Sequence, residues 1–265
     1  MTRGERTTLA AIGVLFALVI VILYAPVIVV VVGAFILTPT GDLDWRAFGL
    51  QWFHALFAAR QIVDALWNTL IVGFGSVALA CILGCATALH VHGRRGRSQL
   101  ALQLLVYLPF LLPPLIVGLT LLIYFREIGL PTGLIAVIIG HGLLLLAVVF
   151  RTLLNRLAQF GHSQIEAGLD LGARPFQVFR LIVLPQIGSS LLASALLAFA
   201  LSFDETLVSL FLVGDQNTLP IKLWAMMRTG LSPEVNALAT LVLATSLVLI
   251  LLATLRVRRF AQADH

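Results

Sequence analysis

A chain of 265 residues that is 60% hydrophobic and only 11% charged falls far below the roughly 25% charge of an ordinary soluble domain. Its mean hydropathy of +1.05 implies a polytopic helical membrane protein, because lipid leaves a spanning backbone few ways to satisfy its polar groups. The net charge of +5 does not indicate nucleic acid, since the basic residues flank apolar segments and gather on no soluble face.

The basic start from Met1 to Arg6 resembles a signal peptide. The apolar run that follows, Leu9 to Leu37, is 29 residues long. A signal core has only about 7–15, so this run is expected to remain as a transmembrane helix, long enough to tilt. Five more segments reach the roughly 20 apolar residues that a span needs: 69–91, 100–125, 132–154, 187–213 and 235–255. The chain is expected to form one transmembrane domain over residues 1–265, all-α, with six spans.

The second span is expected to be opened and capped by Asn68 and Thr69. Cys81 and Cys85 share one face of it as small packing residues. Ser76, Ala80, Gly84 and Ala88 recur every four residues. Small residues at that spacing let another helix approach closely, which matters in lipid because no hydrophobic drive brings helices together. The third span carries Pro109, Pro113 and Pro114. Proline removes a backbone donor and kinks a helix. Two readings stand: a helix bordering a wet cavity or another subunit, or a purely structural kink. In the fourth span His141 lies between Gly140 and Gly142, as a hydrogen-bonded core residue or as part of a proton-coupled step. The fifth repeats the small-residue seam with Ser190, Ser194, Ala198 and Ser202, and Asp204 and Glu205 interrupt it. Ionisable groups at membrane depth are expensive and commonly line a cavity. These two acids are read either as pathway or gate residues or as interfacial ones, and at most one points inward. Tyr107 and Pro113 join them as candidate pathway residues.

The basic residues set an orientation. With the N-terminus inside, 12 of the 17 fall on the inner side and five, Arg46, Arg60, Arg126, Lys222 and Arg228, on the outer side. The positive-inside rule then expects both termini in the cytoplasm. Arg94, Arg95 and Arg97 act as topology determinants, with anionic lipid as a secondary partner. Trp45, Trp52, Trp67 and Trp224 fall on the outer side, as interfacial aromatics do.

A polar interruption within 155–186 then faces the cytoplasm. Ser163 and Glu166 fit a capping box at a helix start. Gly172 suits a left-handed helix end. Pro175 suits the first turn of a second helix, with Phe176, Phe179, Leu181, Ile182 and Leu184 as apolar anchors and Pro185 closing it. Helices this short are marginal alone. Ala167 and Gly168 offer a small-residue patch for a partner, and Glu166 and Asp170 place two acids on one face. An ordinary solvated loop is the alternative.

This interruption resembles the E-A-A-x3-G-x9-I-x-L-P motif of permease subunits of ABC importers. Glu166, Ala167, Gly172, Ile182, Leu184 and Pro185 match it with every interval correct, and Gly168 stands where the pattern has Ala. Arg174 stands where such permeases often carry Ser before Pro175, so the second helix is expected to start less crisply. The stretches Ser202 to Glu205, Thr218 to Pro220 and Ser232 to Ala237 are similar to the second permease subunit of spermidine/putrescine-type importers. That branch also includes importers of opine-like, 4-aminobutyrate-like and aminophosphonate-like solutes.

The resemblance implies the type I importer permease fold, with several partners. These are a second, related permease, two P-loop ATPases and an external solute-binding protein, in a bacterial inner membrane. It implies ATPase coupling through Glu166, Ala167, Gly168, Asp170, Leu171, Gly172, Ala173 and Arg174. It implies no cofactor on this chain. The chain has no G-x-x-x-x-G-K-[ST] loop, so ATP hydrolysis falls to the partners. A stand-alone secondary transporter would need unwound or charged elements near the midplane of several helices, and only His141 answers well. An intramembrane enzyme is disfavoured because neither H-E-x-x-H nor G-x-S-x-G occurs.

Overall fold

The computed structural model describes residues 3–92, 96–159, 163–230 and 232–263. Arg94 and Arg95 lie outside the described residues. Among the described residues twelve α-helices follow one another: α1 (Arg3–Ile36), α2 (Gln51–Ala58), α3 (Arg60–Val91), α4 (Arg97–Leu111), α5 (Pro114–Glu127), α6 (Leu134–Leu157), α7 (Ser163–Asp170), α8 (Pro175–Val178), α9 (Leu184–Asp204), α10 (Leu207–Leu212), α11 (Leu219–Thr229) and α12 (Pro233–Ala263). Among the described residues the only extended pairing is one isolated bridge, Leu37 with Leu43.

The chain divides into two compact units, Met1–Val63 with Leu223–Ala244, and Asp64–Lys222 with Thr245–His265. In the first, the turn after α1 folds back on the helix end. Asp44 and Gly49 donate backbone N–H groups to Ile36 and Phe35, each at 3.0 Å, and Trp52 Nε1 donates to the Leu37 carbonyl at 2.9 Å. Phe35 stacks on Phe48 and tilts against Phe53. Gly33 gives the side chain of Asn236 its place, since a Cβ there would come within 2.8 Å of Nδ2. Much of α1 exposes Leu, Ile and Val, as a lipid- or partner-facing span does.

The second unit is organised around α6. Phe150, Leu153 and Leu157 are fully buried on it, together with Ile187 and Ala198 of α9. The expected α3 seam is found whole, with Ser76, Ala80, Gly84 and Ala88 buried; along α9 Ser194, Ala198 and Ser202 are buried and Ser190 is half-buried. Backbones meet there: a Cβ on Gly84 would lie 2.9 Å from Val149 Cγ1 and 3.2 Å from the Phe150 nitrogen. Close packing of this kind is what holds helices together in lipid.

Among the described residues four helices are long and apolar enough to cross a membrane, Ile12–Ile36, Arg60–Val91, Leu134–Leu157 and Pro175–Asp204, and α4 with α5 adds a fifth if that bent pair counts as one. The remaining expected span is α12, whose described apolar part, Pro233–Val248, is shorter.

Three expectations are corrected. The third span is broken, not merely kinked, because α4 and α5 meet at 107°. A residue before proline avoids the helical region. Leu112 and Pro113, each followed by proline, are accordingly extended at ψ 146 and 133. Leu108, before the single Pro109, stays helical inside α4, so the break belongs to the Pro113–Pro114 pair. The fifth span does not run to 213 but stops at Asp204 and resumes at Leu207. Asn68 and Thr69 do not open the second span, since α3 begins at Arg60. Thr69 Oγ1 instead accepts from the Leu219 nitrogen at 2.8 Å and so caps α11.

The α3–α6 seam yields a direct test. Gly84→Val forces a side chain against the Phe150 backbone and is expected to lower stability by about 1–3 kcal/mol. Gly188 has open space around it, so Gly188→Ala is expected to gain up to about 1 kcal/mol in helix propensity. Thermal unfolding of the purified protein in detergent separates the two.

Candidate functional site

Two places concentrate the polar chemistry of the second unit. The first is the α7 corner. Gly172 has φ +81, the left-handed conformation expected of it. Ala173 donates to the Gly168 carbonyl at 3.2 Å and Gly172 to the Leu169 carbonyl at 2.9 Å. This paired pattern closes a helix end and satisfies its carbonyls. Pro175 opens α8, and the Gln177 side chain accepts from the Arg174 backbone N–H at 2.8 Å. That bond supplies the cap that the Arg174 side chain does not.

Gly168 does not belong to an exposed docking patch; it is buried. Its missing Cβ would lie 2.8 Å from Ile182 Cδ1 and 3.2 Å from Val178 Cγ2. The departure from Ala therefore buys proximity between α7 and the next helix. Gln186 of α9 donates to Gln164 of α7, and Arg156 Nε of α6 donates to the Gln186 carbonyl at 3.0 Å. The short helix is thus tied to α9, and α9 in turn to α6.

Pro185 does not close the second helix. From Pro175 the chain stays helical through a π-helical turn, Phe179–Val183, into α9 and on to Asp204. Proline at the first turn of α9 is accommodated there. The extra residue of a π turn rotates side chains relative to an α-helix. Of the expected anchors, Phe179, Ile182 and Leu184 are half-buried, while Phe176 and Leu181 face outward. The surface left open on α7 and its end carries Glu166, Ala167, Asp170 and, most conspicuously, Leu171, which is 89% exposed.

The second place is a cavity of about 130 Å³ where both helix breaks meet, lined by Phe110, Leu112 and Pro114 from one and Leu201, Ser202 and Glu205 from the other, with His141 and Leu144 between. Glu205 Oε1 accepts from the Leu207 and Val208 nitrogens at 2.9 and 3.1 Å. It thereby caps α10 and satisfies donors that lipid could not. A carboxylate has about four lone-pair sites, so this cap does not exhaust it. Asp204 is exposed, and only one of the two acids lines the cavity. Pro113 sits at the break itself, while Pro114 is the proline on the cavity wall. Tyr107 packs edge-on against Phe150, with ring centroids 5.7 Å apart, and belongs to the core.

His141 is 2% exposed and hydrogen-bonded through both nitrogens, as the core reading expects. Nδ1 meets Ser202 Oγ at 2.9 Å and Nε2 meets Ser209 Oγ at 2.8 Å. Ser209 escaped the sequence reading. Its signal was a lone hydroxyl in the run Leu207 to Val213, seven residues after Ser202. Gln216, whose side chain accepts from the Leu134 nitrogen at the start of α6, carried no recognisable signal.

The fold is that of an ABC importer membrane subunit. It matches the crystal structure of a bacterial ABC transporter involved in the import of the acidic polysaccharide alginate, with TM-score 0.72 and 17% identity over 96% of each chain. Residues 77–263 match the family of binding-protein-dependent transport system inner membrane components. The spermidine/putrescine transport system permease protein PotC of Haemophilus influenzae is 31% identical over 89% of this chain and 92% of its own. The putrescine transport system permease protein PotI of Escherichia coli is 32% identical over 83% and 81%. The chain belongs to this family, as the permease subunit of an ABC importer, and is not an enzyme.

The corner's two glycines are expected to respond differently. At Gly168 alanine meets the movable end of Ile182 and, less tightly, a Val178 methyl, so Gly168→Ala is expected to stay within about 1 kcal/mol of wild type, whereas Gly168→Leu should lose about 1–3 kcal/mol to overpacking. At Gly172 nothing lies within 4 Å, and Gly172→Ala should lose about 1–2 kcal/mol from backbone conformation alone. Thermal unfolding of the purified protein measures all three.

Proposed function

We propose that this chain forms half of the translocation pathway of an ATP-driven importer for a small amine-bearing, polyamine-like solute. It acts as one permease domain paired with a second, related permease. Two P-loop ATPases and an extracytoplasmic solute-binding protein complete the assembly. Both termini lie in the cytoplasm, and the 12-to-5 distribution of basic residues supports that orientation.

The observation that carries the coupling role is the α7 corner. A short helix fixed to α9, itself bonded to α6, presents Glu166, Ala167, Asp170 and the exposed Leu171 to a partner. Leu169, Gly172, Ala173 and Arg174 shape the turn beneath that face. An ATPase subunit seated there would move α7 as a rigid handle. The amine class is supported by the solutes named for PotC and PotI and by the lining of the cavity. A cation leaving water needs a counter-charge near low dielectric, and Glu205 supplies one against walls of Phe110, Leu112 and Leu144.

Reconstitution with the partner subunits tests both halves. Glu166→Lys and Leu171→Asp are expected to abolish stimulation of ATP hydrolysis by the loaded binding protein, with the permease still in the membrane. Glu205→Gln keeps an acceptor for the α10 cap and removes the charge. It is expected to cut polyamine uptake about tenfold or more, the scale of losing one charge-assisted contact, while complex yield holds. Asp204→Asn should do less. Wild-type coupling in the first pair, or wild-type uptake in Glu205→Gln, overturns the corresponding assignment.

A further inference from the structure

The hydrogen bonds around His141 fix where its proton resides. Ser209 Oγ donates its single hydrogen to the Glu205 carbonyl at 3.0 Å. Toward the imidazole the Ser209 oxygen can therefore only accept, so Nε2 is the protonated nitrogen at 2.8 Å. Nδ1 is then the acceptor, and Ser202 Oγ donates to it at 2.9 Å. The direction of the chain is set throughout: Ser202 to His141, His141 to Ser209, Ser209 to the backbone of Glu205.

This chain of bonds spans a gap in the fold. Ser202 lies in the last turn of α9, Ser209 lies in α10, and Glu205 and Thr206 between them are outside both helices. No backbone ladder crosses such a gap to hold the angle between the two helices. Gly140 lets α10 come close to α6 beside the ring, because a Cβ there would lie 2.7 Å from Leu212 Cδ1 and 2.9 Å from Val208 Cγ1. Glu205 closes the ring from the other side, through its side-chain cap on α10.

We infer that His141 is a positioning residue for transport: it clips α9 to α10 across their break and so holds the Glu205 carboxylate at the cavity. Both ring nitrogens are engaged by the serines, so the imidazole acts by setting where the carboxylate stands. The effect on uptake rests on Glu205 meeting the solute, whereas the effect on the break rests on the geometry alone. The direction of the bonds also ranks the two serines. Removing Ser209 strands a buried N–H donor, and removing Ser202 strands only an acceptor. Stranded donors are the less tolerated of the two.

The test uses the complete reconstituted transporter, with spin labels at Leu197→Cys on α9 and Leu210→Cys on α10 in a background lacking Cys81 and Cys85. His141→Leu is expected to broaden or shift the interlabel distance distribution and to cut putrescine uptake about tenfold. His141→Gln carries an amide donor near the position of Nε2, and should recover much of both. Ser209→Ala should disturb both readouts more than Ser202→Ala. If His141→Leu does not assemble, the two serine variants and His141→Gln decide. Unchanged distances in Ser209→Ala and in whichever His141 variants assemble would overturn the inference, as would a loss of uptake with unchanged distances. Normal uptake in Glu205→Gln would instead remove the solute contact, leaving the distance measurement to judge the clip.

Discussion

A helix that breaks inside a membrane protein must find partners for the N–H and C=O groups it frees, and this chain breaks twice beside one cavity. The two breaks meet that demand differently. At Leu112 and Pro113 the prolines lack the donor altogether, and the Pro113 carbonyl accepts from Ile116 and Val117 of the next helix. At Glu205 a carboxylate caps α10 while the imidazole of His141 links the helices on either side. The same groups that satisfy the backbone also line the opening. A polar wall next to apolar side chains is thus a consequence of keeping both breaks stable.

The other end of α9 lies at the α7 corner. Helical structure is continuous from Pro175 through the π turn to Asp204, so the span that leads to Glu205 begins at the α7 corner. Gly168 removes the clearance between α7 and that span, Gln164 and Gln186 fasten α7 to it, and Arg156 bonds it to α6. A force on the exposed face of α7 therefore acts on a long lever with little slack. On the proposed reading, ATP-driven motion of a partner reaches the cavity through this lever.

Much of this architecture was legible because it depends on local chemistry. The apolar runs marked the spans, the four-residue spacing of small residues marked the seams of α3 and α9, and Gly172 marked the left-handed helix end. The motif at Glu166 to Pro185 marked the corner. What was not legible depends on who the neighbour is. The same three prolines fit a kink or a break, and only the Pro113–Pro114 pair, with two successive residues held extended, gave the break. Thr69 reads as a cap for its own helix, yet it caps α11, 150 residues away. Gly168 reads as a docking surface until Val178 and Ile182 are seen to cover it. Pro185 reads as a terminator until the π turn carries the helix past it.

The claim that the α7 corner is the handle of the transporter is tested most directly by a photo-crosslinking residue in place of Leu171, in the assembled complex. The account predicts an adduct between position 171 and an ATPase subunit, and none from the exposed Asp215 beyond α10. An ATPase adduct from position 215, or none from position 171 in a complex that still transports, would contradict it.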